Sequence, residues 1–247
     1  MSEPLTRAPF DHVAAHMAGF SRPWAICGGW AVDAWLGHHL RPHGDFDIFV
    51  FEEDERALFE HLSPAWALIA HDQAEQDATW AWEGRGLVHP AHIHAMPSME
   101  AMLAEWVPNG SDGPMPIDDL SRFRLDIMFN ERTENELFLL AKAPAPSAGG
   151  EVSRGDESAR RVSLPISEAI RTNPLGLPSL IPAALIYLKG TAYWSSPEYQ
   201  AKRPYDETDS AALLPLVPAP ERAWLRESIG ALYPDHPWLD WERLAAG

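Results

Sequence analysis

Residues 28–50, GGWAVDAWLGHHLRPHGDFDIFV, decide how the rest of the chain is read. A short apolar run at 24–27 leads into the glycine pair Gly28-Gly29 and reads as a strand ending in a tight turn. Residues 30–36 follow as a short amphipathic helix that stops at Gly37. A polar loop with Arg41, Pro42, His43 and Gly44 then opens into an alternating strand at 45–51. Successive strand side chains point to opposite faces, so Asp45 and Asp47 share one face while Phe46, Ile48 and Val50 line the other. Unpaired charge is costly on a half-buried strand, and two carboxylates at i and i+2 suit a hard divalent cation such as Mg2+. Glycines at the turn let the backbone approach a ligand closely, and the N–H groups of the following helix can face an anion.

A second strand carries a related signal. In residues 123–129, FRLDIMF, Phe123, Leu125, Ile127 and Phe129 form an apolar face and Asp126 points the other way. A carboxylate in such a strand needs a cation, either a metal or an arginine such as Arg124 or Arg122.

Working outward, residues 9–21 read as a first helix, with Phe10, Val13, Ala14, Met17 and Phe20 near helical spacing. The acidic run 52–55 opens a helix to Leu62, where it favours the helix dipole. Residues 66–71 and 79–83 read as strands, the latter with Trp80 and Trp82 on one face. His89, His92 and His94 form a histidine cluster, with His92 and His94 alternating on a strand at 91–95. His-x-His is a ligand spacing found in zinc sites. No hydrolase signature lies nearby, so the three are read as non-ligands, with a zinc hydrolase built on them as the rival. A helix at 98–106 and a Pro/Gly-marked loop at 107–119 follow.

Residues 143–161 are rich in Pro, Ala, Gly, Ser and charge without periodicity, and read as a flexible connector. They separate an N-terminal domain, 1–142, from a helical C-terminal domain, 162–247. In the latter, 180–190 reads as a helix with Gly190 at its C-cap and Lys189 beside the dipole's negative end. Residues 221–232 and 237–246 read as closing helices, with Trp238 capping the bundle.

Composition bounds the partners. The 247 residues are enough for a substantial core, and no run of about 18 apolar residues suggests a membrane span. The first residues lack the basic-then-apolar pattern of a secretory signal, and the single cysteine, Cys27, excludes an internal disulfide. Both fit the cytoplasm. With 36 acidic against 19 basic residues the formal charge is −17, which argues against a nucleic-acid partner. It would attract a cationic small molecule, although acidity for solubility explains the charge equally well.

The order Gly-Gly, helix, Arg-x-His, Asp-x-Asp, apolar strand resembles the nucleotidyltransferase superfamily, most closely the branch of aminoglycoside and lincosamide adenylyltransferases. The stretch LIPAALIYLKG, followed by Arg203-Pro204-Tyr205-Asp206 and a helix with Asp209, extends the resemblance, as does the turn Asp235-His236-Pro237-Trp238. Two positions depart from the family pattern. Ala183 stands where a glutamate commonly follows the proline, and Tyr205 where a lysine commonly precedes the aspartate. The resemblance implies an α+β fold, a small mixed sheet with helices followed by a C-terminal helical bundle. It implies that Gly28 and Gly29 hold a nucleoside triphosphate, that Asp45 and Asp47 bind two Mg2+ ions, and that Asp126 is the third acidic residue. Arg41, His43 and Lys189 would offset phosphate charge. The implied reaction moves AMP from ATP to a hydroxyl of a small acceptor, such as an aminoglycoside or lincosamide, and releases pyrophosphate. A non-catalytic nucleotide-binding module on the same fold is a further rival.

Overall fold

The computed structural model describes residues 3–71, 79–88, 91–97, 123–141 and 161–240. The segments expected at 98–106 and 107–119, residues 241–246, and the connector other than Arg161 lie outside the described residues. The chain divides into two compact units, Met1–Arg132 with Ile170–Ser179, and Thr133–Ala169 with Leu180–Gly247.

The first unit is built on a mixed sheet of eight strands, larger than the small sheet expected from the sequence. Its spatial order is Ile170–Thr172, Pro178–Leu180, Ala25–Ile26, Phe46–Phe51, Leu125–Asn130, His92–Met96, Ala67–His71, Thr79–Ala81. Phe46–Phe51 runs antiparallel to Ala25–Ile26 and parallel to Leu125–Asn130; the pairings beyond Leu125–Asn130 are antiparallel, and Pro178–Leu180 runs parallel to Ala25–Ile26. The central strand is dense in aromatic and β-branched residues, which fit a pleated surface packed on a neighbour. Phe46 and Phe51 are fully buried.

One face of this sheet is covered by helices. Phe10 of the helix Ala8–Met17 meets the Phe46 ring edge-on at 5.5 Å. Trp30 of the helix Gly28–Leu36 stacks on the same ring at 5.6 Å. Phe123 closes the cluster at 5.8 Å. Farther along, Trp82 packs between Phe59 of the helix Glu55–Leu62 and Phe129 of the sheet. Each buried ring contributes about 1.5–3 kcal/mol of apolar transfer, with edge-to-face pairs adding up to about 1.5 kcal/mol. The expected Trp80/Trp82 pair is therefore split, because the strand ends at Ala81: Trp82 is core and Trp80 is exposed. Gly37 stops the second helix with φ +76°, the left-handed cap its sequence position implied.

The second unit holds an antiparallel pair, Glu136–Leu140 with Arg161–Pro165, and the helices Pro182–Trp194, Pro197–Lys202, Tyr205–Leu213 and Ala219–Leu232. The first of these helices corrects the sequence reading. It does not end at Gly190 but continues to Trp194. Gly190 is there for packing: a Cβ at that position would lie 2.7 Å from the ring of Trp238. Trp238 is buried, as expected, but sits on a single 3-10 turn, Pro237–Leu239.

Candidate active site

The side of the sheet opposite the Phe46 ring carries the polar chemistry. In the parallel pairing of Phe46–Phe51 with Leu125–Asn130, Asp47 stands directly beside Asp126. In the antiparallel pairing beyond, Asp126 stands beside His94, and His92 beside Met128. Register partners project to the same face, so Asp47, Asp126 and His94 form a row across three strands. His94 Nε2 lies 3.8 Å from Asp126 Oδ1, and both side chains are about three-quarters buried. Burial holds the His92 imidazole below its ordinary pKa, so its ring is neutral at pH 7.

Asp45 precedes the strand and sits at its mouth. Its carboxylate takes Arg124 Nη2 at 3.4 Å, and Arg124 also donates to the Gly44 carbonyl. Arg124 thus serves Asp45, whereas the sequence left it as a partner for Asp126; Arg122 is outside the described residues. The three carboxylates do not form a set with ligand atoms within 4.8 Å of one another, whereas His92, His94 and Asp126 do.

The glycine pair is shaped around this row. Gly28 opens its helix with φ +62°, and a Cβ there would overlap the Asp47 carboxylate. A Cβ on Gly29 would overlap the His43 imidazole and lie 2.9 Å from Arg41 Nη2. The backbone of the turn therefore lies against Asp47, Arg41 and His43, three of the side chains singled out in the sequence.

One residue absent from the sequence reading holds this loop in place. Asp33, fully buried on the helix Gly28–Leu36, accepts His43 Nε2–H at 2.8 Å, His39 Nδ1–H at 2.9 Å and the Leu40 N–H at 3.1 Å. The Thr6 N–H donates to His39 Nε2, which fixes His39 as the Nδ1–H tautomer. A buried carboxylate with three donors is satisfied, and its pull on Nε2 leaves His43 Nδ1 as the atom facing Gly29. That nitrogen is buried and has no hydrogen-bond partner among the described residues. The sequence signal was available in the single acid of an otherwise apolar helix, GGWAVDAWL.

Lys189 belongs to the second unit. It lies inside its helix rather than at the end, buried, with its ammonium 3.0 Å from Asp206 and 2.8 Å from Asp209. Its place at a helix C-terminus is thus corrected, and its immediate charge partners are carboxylates. His89 lies outside the described residues.

A double-glycine turn thus opens a helix beside a carboxylate-bearing mixed sheet, and the same fold is found in solved proteins. Residues 11–93 match the family model described as aminoglycoside-2''-adenylyltransferase. The crystal structure of ANT(2'')-Ia in complex with adenylyl-2''-tobramycin is 13% identical, covering 93% of this chain and 99% of that one, with a TM-score of 0.52. The solution structure of the antibiotic-resistance factor ANT(2'')-Ia is 15% identical, covering 92% and 91%, with a TM-score of 0.50. The lincosamide antibiotic adenylyltransferase LnuA, lincomycin-bound, is 12% identical over 87% of this chain and 100% of that one, with a TM-score of 0.47. No curated protein sequence gives a significant match. The chain has the fold of ANT(2'')-Ia, and its residues 11–93 are similar to the aminoglycoside-2''-adenylyltransferase model.

Proposed function

We propose that this enzyme transfers AMP from ATP to a hydroxyl of a small cationic acceptor of the aminoglycoside class. The observation that carries the reading is the Asp47–Asp126 pairing beside a glycine turn that no side chain could occupy. The match over 11–93 supports the acceptor class, and the formal charge of −17 suits a polycation.

The residues fit a pair of Mg2+ ions, because Asp45, Asp47 and Asp126 supply hard oxygen donors at one end of the sheet. When bound, such ions would neutralise triphosphate charge and acidify the acceptor hydroxyl. The chain's own groups do the rest. The N–H groups of Gly28 and Gly29 at the start of a nine-residue helix face the phosphates. The acceptor oxygen attacks the α-phosphorus, the bond to the β-phosphate breaks, and pyrophosphate leaves. The hydroxyl proton passes to the carboxylate set. Arg41, together with the His43 that Asp33 holds, faces the charge that develops on the leaving group. Lys189 is left out of this set, since Asp206 and Asp209 already hold its charge.

The test is incubation of the protein with ATP, Mg2+ and a panel of aminoglycosides and lincosamides. Adenylylated acceptor and pyrophosphate are expected in equal amounts, with loss of about 10²–10³-fold or more in Asp45→Asn. Undiminished transfer in that variant, or ATP binding without turnover on any acceptor, would overturn the reading.

A further inference from the structure

The histidines His92 and His94 of the strand His92–Met96 were read from the sequence as non-ligands. The sheet register alters their surroundings. Among the described residues, one set of three His, Cys or acidic side chains brings its ligand atoms within 4.8 Å of one another, and it is His92, His94 and Asp126. Three observations bear on it independently. The two imidazoles lie on one face of a single strand, because i and i+2 share a face. Their rings lie 5.6 Å apart, near enough to converge on one point. Asp126 belongs to the adjacent strand, in register with His94, so the three donors come from two hydrogen-bonded strands of a sheet and not from a loop.

We propose that His92, His94 and Asp126 form a site for a borderline divalent ion of the Mn2+, Co2+ or Zn2+ class, at the His94 side of the carboxylate centre. Donor chemistry sets the class. Mg2+ takes oxygen ligands in near-ideal octahedra, whereas imidazole nitrogens suit transition ions. Ligands about 2.0–2.1 Å from a tetrahedral ion stand about 3.3 Å apart. The His94–Asp126 separation of 3.8 Å is within a small side-chain rotation of that spacing. Asp126 has two carboxylate oxygens, so it can serve this ion with one and face Asp47 with the other. The centre would then be asymmetric. Its Asp45/Asp47 side takes a hard ion and its histidine side takes a softer one, so the metal preference of the enzyme is written on the strand His92–Met96.

This inference rests on Asp126 belonging to the active centre, but its test is metal binding alone, without nucleotide or acceptor. Metal-free protein is titrated with Co2+ and followed by its visible absorption, and separately loaded with Mn2+ for pulsed electron paramagnetic resonance. One equivalent of Co2+ with nitrogen-containing ligation is expected, and the Mn2+ spectrum is expected to carry imidazole nitrogen modulation. His92→Gln and His94→Gln should each weaken Co2+ binding by about tenfold or more, while the outlying control His38→Gln leaves it unchanged. The Mn2+ spectrum of the unaltered protein needs no variant, so misfolding cannot mask the answer. Oxygen-only ligation, or Co2+ affinity indifferent to both histidines, would overturn the proposal while leaving the carboxylate centre intact. Failure of nucleotidyl transfer with nitrogen ligation present would do the reverse.

Discussion

At the scale of single residues, Gly28 constrains the site most tightly. Its φ of +62° lies where a side chain is strained, and the space a methyl group would need is filled by the Asp47 carboxylate. Gly28→Ala is therefore expected to displace Asp47 and to cost more than the ~1 kcal/mol typical of a strained backbone position. The measurement is paired: chemical denaturation for stability, and pyrophosphate release for activity. Activity should fall far more than stability, and an alanine variant with normal turnover would show that the turn need not touch Asp47. Alternation around Phe46 made the two aspartates readable in the sequence, because period two leaves few ways to place them. Asp33 was missed for the opposite reason. A lone acid in an apolar helix has no period, and its role appears only when His39, His43 and the Leu40 N–H converge on it. The same holds for His92 and His94, whose spacing was visible but whose neighbour Asp126, more than thirty positions away, was fixed by register alone.

At the scale of elements, the strands and helices near the glycine turn were legible because their periods are clean. The helix Pro182–Trp194 was not. Glycine after an apolar stripe ordinarily marks a cap, but here the absence of a side chain admits the Trp238 ring. The turn that brings Trp238 in is held by His236. Its Nε2–H donates to the Gly190 carbonyl at 3.1 Å and its Nδ1 accepts the Trp238 N–H at 3.0 Å. That pattern requires the neutral ring. Burial pushes the imidazole pKa down to about 4, opposed by the bond to Gly190. A lowered folded-state pKa gives stability that is whole above about 6.5 and lost as pH falls toward about 4. About 2–3 kcal/mol of unfolding free energy should disappear between pH 7 and 4.5 from this residue. Denaturant titrations at both pH values on the protein and on His236→Gln decide it. The variant should be less stable at pH 7 and show a smaller drop. An equal drop in both would place the pH sensitivity elsewhere, for example in His12 and His16, whose pKa values burial also lowers.

For the whole molecule, the sequence carried the fold class because local patterns and the family resemblance pointed the same way. The eight-strand extent of the sheet was less legible, since short pieces such as Ala25–Ile26 and Pro178–Leu180 have too few residues to show a period. The two units each contribute polar side chains in buried places, but their charge is organised differently. In the second unit, Lys189 pairs with Asp206 and Asp209, and Arg203 adds a second cation at Asp206. In the first, Asp47 and Asp126 stand side by side on one sheet face, an arrangement that a bound cation would stabilise. That convergence of positions nearly eighty apart in the chain is the centre of the functional reading. Its most direct test is the rate of pyrophosphate release from ATP, Mg2+ and aminoglycoside acceptor by Asp126→Asn, with folding checked by circular dichroism. A folded variant with release reduced about 10²–10³-fold or more is expected. A folded variant releasing pyrophosphate at the unaltered rate would contradict it.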